Sequence, residues 1–370
     1  MNIDSLIPEN IKHLKPYVAG RTIAEVMEVY RPTRISKLAS NENRMGFSPV
    51  AAHAIAEASK YIQDYPDPVS QKLRKKLSGL HAVDEEDIMI TAGSESMISV
   101  ICRTFFKAGE NAVTADATFV GFYVQAGVRG VKVKKIPITK NYKFDVDGII
   151  GAAKEGAKLV YIANPNNPTG TYLSKADYIR LIDGVPENVL IIADEAYFEY
   201  AGEIEDYPKA MEYRRDNVII LRTFSKAYGL AGLRVGYGIA HPDLITQMTK
   251  TRLTFEPTTL AQAAAFAALD DSEFIKKSVE RVVKGREQLY RFFDEHDVQY
   301  VKSISNSVLM ICDDDASAVK FTQSMLEQGV ILRRTQAFGL PNCIRITIGT
   351  EEDMQHFEQS YLNITEEIYS

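Results

Sequence analysis

Lys226 stands in the stretch LRTFSKAYGLAGLRVGYG (221–238), directly after an apolar run and flanked by Phe, Ser and Ala. Most lysines are solvated charges. A lysine whose amine is taken out of water holds its proton less firmly and can attack a carbonyl carbon. Arg234, at the start of the next apolar run, adds a second positive charge suited to a dianionic phosphate. Asp194 opens DEAY (194–197) immediately after NVLIIA. A carboxylate at the end of an apolar strand is expensive to bury unless a cation or a donor meets it. Capping the helix that follows is the open alternative for Asp194.

Two further segments follow apolar runs in the same way. AGSES (92–96) comes after DIMIT and before the helical MISVICRTFF. A glycine and small polar residues at a helix start expose unpaired N–H groups at the positive end of the helix dipole, which is a seat for phosphate. Taken alone, Ser94 reads first as a simple helix cap. NPNNPTG (164–170) comes after KLVYIA. Its Asn, Pro and Gly suit a plain turn, and a rigid binding loop equally.

These segments must be positioned by what precedes them. β-rich runs recur at 87–91, 111–115, 131–138, 158–163, 188–193, 217–223 and 234–240, with helical segments between several of them. The runs are apolar throughout rather than alternating, which predicts strands buried on both faces of a mostly parallel sheet covered by helices. Ligands of such sheets bind beyond the carboxyl ends of the strands. Ser48 as N-cap and Pro49 at the first helical position predict a helix over SPVAAHAIAEASKYI, and VSQKLRKKLSGLH predicts another. After about 255 long helices come first, in TLAQAAAFAALDD and EFIKKSVERVVKGREQLYRFFDEH, then short strands such as NSVLMIC and CIRITIG. The pattern predicts two units: a large ligand-binding domain over 48–255, and a smaller α/β domain made from 256–370 with the N-terminal arm, 1–47. The arm, including RPTRISKLASNEN, shows little periodicity.

The totals narrow the partners. The 370 residues, 45% of them hydrophobic, suffice for two cores. A net charge of −6 gives no reason to expect nucleic acid or an anionic membrane surface. Cys102, Cys312 and Cys343 are odd in number and far apart, and the histidines form no HExxH, so neither a disulfide framework nor a metal site is expected. No apolar run approaches the roughly 18 residues of a membrane span, and the first residues carry charges where a signal peptide would be apolar. A cytoplasmic, soluble protein is the expectation.

A phosphate seat, an acid, an Asn-rich loop and a Lys–Arg pair at the strand ends of one sheet suit one ligand, pyridoxal 5′-phosphate. Its aldehyde needs a lysine, its ring nitrogen an acid, its phosphate N–H groups and an arginine. With LKPYVAGRTI (14–23), KLASNEN (37–43), YPD (65–67), AGSES, NPNNPTG, DEAY, TFSKAYGLAGLRVGY, GVILRR (329–334) and CIRITIGT (343–350) in this order, the chain resembles the class I and II aminotransferases of pyridoxal-phosphate fold type I, most closely the histidinol-phosphate aminotransferase branch. The resemblance implies the aspartate aminotransferase-like α/β fold. It implies a transaminase of amino-acid biosynthesis, in this branch histidine biosynthesis, that moves an amino group from an amino acid, glutamate by expectation, to a keto compound. It further implies that Lys226 joins the cofactor aldehyde as an imine, that Asp194 pairs with the ring nitrogen, and that Asn167 and Tyr197 bond its phenolic oxygen. Gly93, Ser94, Glu95, Thr223, Ser225 and Arg234 would hold the phosphate, and Phe119 would stack on the ring. Tyr65 would reach the phosphate of a second subunit, making a homodimer. Arg345 would bind the substrate carboxylate or the group in its place. Arg333 would sit near the distal group, and Tyr17 and Asn43 would close the site.

The chain also departs from that branch. NENRMG has Arg44 where the branch usually has proline, ATF (117–119) stands for PTY, and FEPT brings Glu256 to a segment that is Asn-rich in many relatives. An inward-pointing Glu256 would repel a substrate phosphate. Aromatic or other specialised amino acids are therefore alternative substrates, decarboxylation on the same cofactor is an alternative reaction, and a non-enzymatic cofactor sensor is the remaining reading.

Overall fold

The structure, a computed structural model, describes residues 3–14 and 20–369. Its strands are β1 (Ser36–Lys37), β2 (Ile88–Thr91), β3 (Asn111–Ala115), β4 (Lys132–Ile136), β5 (Leu159–Ala163), β6 (Leu190–Asp194), β7 (Val218–Thr223), β8 (Gly236–Ile239), β9 (Gln299–Val301), β10 (Ser307–Ile311), β11 (Val330–Ile331), β12 (Arg333–Arg334) and β13 (Cys343–Thr347). Among the described residues they form three sheets. The largest has the order β2-β8-β7-β6-β5-β3-β4. Its β4, β3, β5, β6 and β7 run parallel, and β8 lies antiparallel to both its neighbours. All seven expected strands are present, and the sheet is mostly parallel as the apolar runs required.

Both faces of this sheet are covered. One face packs Val160, Ile191 and Ile220 against helices that contribute Leu77, Ile149, Leu181 and Ala264. The other packs Tyr161, Ile192 and Ile219 against Met97, Ile101 and Phe122. The edge strand β4 breaks the pattern. Lys132, Lys134 and Lys135 are exposed there, and charged lysines on an edge discourage pairing with another chain.

A second sheet, β12-β13-β10-β9, is antiparallel, and a third pairs β1 with β11. The helices Ser272–Glu295 and Glu351–Tyr369 supply Leu289, Phe293 and Phe357 to the core of this part. The β1–β11 pairing ties the N-terminal arm to it. Helix Thr259–Ala268 lies beyond the expected division at 255, yet Ala261, Ala264 and Ala265 pack in the core of the large sheet.

The arm is more ordered than its sequence suggested. Ile23–Tyr30 is a helix opened by a capping box, with Thr22 Oγ1 accepting from the Glu25 amide and Glu25 Oε2 from the Thr22 amide. The T-x-x-E signal at 22–25 was there to be read, but the helix buries only Val26, so its apolar periodicity is faint.

β6 and β7 are clamped on the face opposite the one Asp194 uses. Arg222 donates to Glu195 Oε2 at 3.0 and 2.8 Å, and its guanidinium lies 3.4 Å from the centre of the Phe198 ring. Both partners are buried. Removing one strands the other's charge. Arg222→Ala should therefore cost about 3–5 kcal/mol in urea unfolding, whereas the double change Arg222→Met with Glu195→Leu should cost clearly less. A single-variant loss below about 1 kcal/mol would show that the pair does not hold these strands.

Candidate active site

A cavity of about 290 Å³ opens at the carboxyl edge of the large sheet. β5, β6 and β7 end there at Ala163, Asp194 and Thr223, all three of which line it. β8 runs the other way, so its beginning, preceded by Arg234, reaches the same edge. β2 ends beside β8 and leads through Gly93 into helix Ser94–Phe105.

That helix start is built for an anion. Gly93 is the N-cap and no side chain caps the helix, so Ser94 is not the cap that the isolated motif suggested. The first N–H groups and the positive end of the dipole are left for a ligand. Gly93 has φ +89°, and a Cβ there would come within 2.8 Å of the Arg234 guanidinium. Gly236 is equally constrained, since its Cβ would meet the Ser94 amide nitrogen at 2.7 Å. Arg234 is held by the Ala231 carbonyl at 3.1 Å, and Thr223 Oγ1 donates to Ser225 Oγ at 3.1 Å. Ser94, Glu95, Thr223, Ser225 and Arg234 all line this end.

The same cavity holds the acid. Asp194 Oδ2 accepts from the Tyr161 hydroxyl at 2.6 Å, and Oδ1 from the Ala196 amide at 3.1 Å. The next helix begins at Phe198 and is capped by Tyr197, without a side-chain bond. Asp194 therefore holds a turn and faces the cavity rather than capping a helix. Burial pushes its carboxyl up to about 6, against the pull of those two donors and of Lys226.

Lys226 lies on the wall, with its Nζ 3.5 Å from the Ser40 carbonyl oxygen and 5.7 Å from the centre of the Tyr197 ring. Burial is the main cause that lowers its ammonium to about 8, and the positive charges of Arg345 and Arg234 add to it. Tyr197 OH accepts from Asn41 Nδ2 at 2.9 Å, and burial raises its phenol above the usual range. Phe119 forms another wall.

The Asn-rich loop divides its labour. Asn166 bonds Ala117, Thr118 and Thr169, and Asn164 accepts from the Leu173 amide, so these two hold the loop. Asn167 alone of the three lines the cavity. Its Oδ1 accepts from Arg345 Nη1 at 2.5 Å. Arg345 is only 5% exposed and also donates to the Ala39 carbonyl at 2.6 Å. Arg333 stands opposite Arg345 in the β12–β13 register, and Arg334 pairs with Asp315.

Of the residues expected at the substrate end, Arg345, Arg333 and Asn43 do not line this cavity. Asn43 does not line the cavity, because its amide is spent on the Ala227 carbonyl and on Ser278 Oγ. It braces the turn that carries Lys226 from behind. Tyr65 lies outside its own chain's cavity, 80% exposed and stacked on Phe255 at 4.4 Å. Tyr17 falls outside the described residues. Glu256 accepts from Ser96 Oγ at 3.1 Å and does not line the cavity, so it sits against the first turn of the uncapped helix.

Sequence reasoning missed Ser40 and Glu42, which line the cavity, and Asn41 and Tyr161, which set Tyr197 and Asp194. KLASNEN was recognised as a motif, but its middle residues carried no assignment. The lone tyrosine in the aliphatic run KLVYIA was the signal for Tyr161. The lowered Lys226 amine is directly measurable. Amine acylation of the apoprotein at graded pH, read by peptide mass spectrometry, should label Lys226 with a midpoint near 8, against about 10.4 for solvated lysines. A midpoint near 10 would put the amine in open water.

Comparison with known proteins agrees with this geometry. The family profile described as aminotransferase class I and II matches residues 33–360. The histidinol-phosphate aminotransferase of Bacillus subtilis (strain 168) is 42% identical over 94% of this chain and 96% of its own length, and that of Bacillus velezensis is 41% identical over the same shares. The crystal structure of histidinol-phosphate aminotransferase from Sinorhizobium meliloti, in complex with pyridoxal-5′-phosphate, superposes with a TM-score of 0.88 at 28% identity and covers 96% of both chains. Aspartate aminotransferase from Thermus thermophilus, solved with maleate, shares the fold with a TM-score of 0.82 at 19% identity over 96% of this chain and 99% of its own. The chain belongs to the class I and II aminotransferases.

Proposed function

We propose that this protein is a pyridoxal 5′-phosphate-dependent transaminase of the histidinol-phosphate aminotransferase type. The observation that carries the reading is that one cavity is lined by Lys226, by a buried acid, Asp194, and by an uncapped helix start with Arg234. The donor set fits the cofactor. The Ser94 and Glu95 amides with Thr223, Ser225 and Arg234 would hold its phosphate, Asp194 its ring nitrogen, Asn167 and Tyr197 its phenolic oxygen, and Phe119 a ring face. Bound there, the group supplies an aldehyde carbon for the amine and an electron-withdrawing ring that acidifies a neighbouring C–H.

The chain's own residues do the rest. With its ammonium lowered to about 8, Lys226 Nζ is neutral in about a tenth of the molecules at pH 7, far more than a solvated lysine, and serves as nucleophile. Once displaced by an amino substrate, it is the base that takes the proton from the substrate α-carbon. Asp194 stays anionic above about 6 and balances positive charge on the ring nitrogen. Asn41 orients Tyr197. Arg345, behind the cavity-lining Asn167 that it bonds and with Arg333 in register beside it, is the guanidinium that would take a carboxylate or a phosphate. Glu256 is bonded to Ser96 and does not line the cavity, so it does not point into the space a phosphorylated substrate would enter in this chain. Histidinol phosphate, with glutamate as the paired amino compound, is therefore the preferred substrate assignment.

Assembly and location belong to the same reading. Tyr65 and Phe255 form an exposed stacked pair beside exposed Tyr61 and Ile62, which supports a homodimer in which Tyr65 reaches the neighbouring subunit's cavity. The three unpaired cysteines support a reducing, cytoplasmic setting. The division between the large and small units is best placed after helix Thr259–Ala268.

Holoprotein given histidinol phosphate and 2-oxoglutarate should release glutamate. Turnover of aromatic amino acids alone would move the substrate assignment, release of CO₂ without a keto product would favour a decarboxylase, and cofactor binding without conversion of any amino acid would leave a sensor. Lys226→Ala should lose turnover while its circular dichroism stays native. Arg345→Ala should lower kcat/KM by a factor equivalent to about 2–5 kcal/mol, and an unchanged value would place Arg345 outside the substrate site.

A further inference from the structure

The acid of the site has a partner that neither the motifs nor the family relationship assigns. Tyr161 lies in β5, wholly buried, and its hydroxyl donates to Asp194 Oδ2 at 2.6 Å. The register explains how it reaches. Ala163 is directly opposite Asp194 across β5 and β6. Tyr161, two residues earlier, points to the same face, and the small side chain of Ala163 leaves its ring room to lean forward. The ring also stacks on Phe122 at 4.5 Å and 8°. Burial and the neighbouring carboxylate keep the phenol protonated, so Tyr161 donates to Asp194.

We propose that Tyr161 is a positioning residue that acts through Asp194, holding the carboxylate ionised and turned so that its remaining lone pairs serve the cofactor's ring nitrogen. The proposal rests on the pyridoxal-phosphate reading of the cavity. With Tyr161 on one oxygen and the Ala196 amide on the other, the carboxylate cannot rotate without losing a bond, and both bonds favour its charged form. The other charged and titratable groups facing this pair are Lys226 beyond β7, Glu195 and Tyr197 beyond β6, and Tyr123 on the helix that also carries Phe122. Arg345 acts on the cluster through Tyr197. Of these side chains, Tyr161 is the one that donates a hydrogen bond to Asp194.

The test is binding of pyridoxal 5′-phosphate to apoprotein, followed by absorbance between about pH 5 and 9, for the wild type, Tyr161→Phe and Phe122→Leu. Tyr161→Phe keeps the ring and its stacking and removes only the hydroxyl. A protonated Asp194 must give up its proton before it can accept from the protonated ring nitrogen, so wild-type affinity should fall as pH drops through about 6. Without the Tyr161 donor the carboxyl titrates higher. The fall should begin about one pH unit or more higher, with about tenfold weaker binding near pH 6 and a smaller difference above pH 8. Phe122→Leu disturbs the packing and keeps the hydroxyl, so it should lower the melting temperature and leave the pH profile in place. A Tyr161→Phe profile that overlays the wild type overturns the proposal. So does a loss that is uniform with pH and tracks a lower melting temperature, because that is packing alone. Failure of the wild type to bind the cofactor at Lys226 overturns the reading beneath it, and is recognised without any variant.

Discussion

Lys226 and Asp194 stand under opposite demands within one cavity. The amine must lose water to become reactive near neutral pH, and the carboxylate must keep its charge although it is 4% exposed. Desolvation alone would neutralise both. The structure separates them by what it supplies to each. Lys226 is given a carbonyl oxygen at 3.5 Å, and burial with the Arg345 and Arg234 guanidiniums outweighs the Glu42 and Asp194 carboxylates that favour its charge. Asp194 is given two hydrogen-bond donors. The amine is lowered to about 8 while the carboxyl is held near 6, so about a tenth of the amine is neutral at pH 7 and most of it above pH 8, with the carboxylate ionised throughout.

Everything else positions that pair. Parallel β5, β6 and β7 deliver Ala163, Asp194 and Thr223 to one edge, and the antiparallel β8 brings Arg234 back to it. The Arg222–Glu195 clamp fixes two of those strand ends from the opposite face. The arm then threads across. Ala39 accepts from Arg345, Ser40 from Lys226, Asn41 orients Tyr197, and Asn43 braces Ala227. Within 39–43, Ser40 and Glu42 thus line the cavity, Asn41 bonds Tyr197 on its wall, and Ala39 and Asn43 hold Arg345 and Ala227, next to residues that line it. The segment is held in turn by the second and third sheets through Leu38, bonded to Ile331 and Thr347.

Much of this was legible before any coordinates. Runs buried on both faces predict the parallel sheet, and strand-end logic points to AGSES, the loop 164–170, Asp194, Lys226 and Arg234, because a buried strand leaves its first free side chains at its end; Asn167 within that loop comes from the family resemblance. What escaped was contact across distance in the chain. Tyr161 looked like one more apolar residue until register placed it beside Asp194, and Asn41 was indistinguishable from Asn43 until their partners were seen. The capping box at Thr22–Glu25 was local and readable, yet the helix it opens buries too little to show a period. Glu256 is a charge near the distal pocket only by comparison with the segment that is Asn-rich in many relatives. Its bond to Ser96, a contact between residues far apart in sequence, gives that charge a partner at a helix start.

The central claim is that Lys226 is the point of attachment of a vitamin B6 aldehyde. Reduction of the coloured holoprotein with borohydride, followed by digestion and peptide mass spectrometry, tests it most directly. The account predicts bleaching of the visible band and a single pyridoxyl adduct on the peptide containing Lys226. An adduct on another lysine, or a protein that stays colourless with added cofactor and gains no adduct, would contradict it.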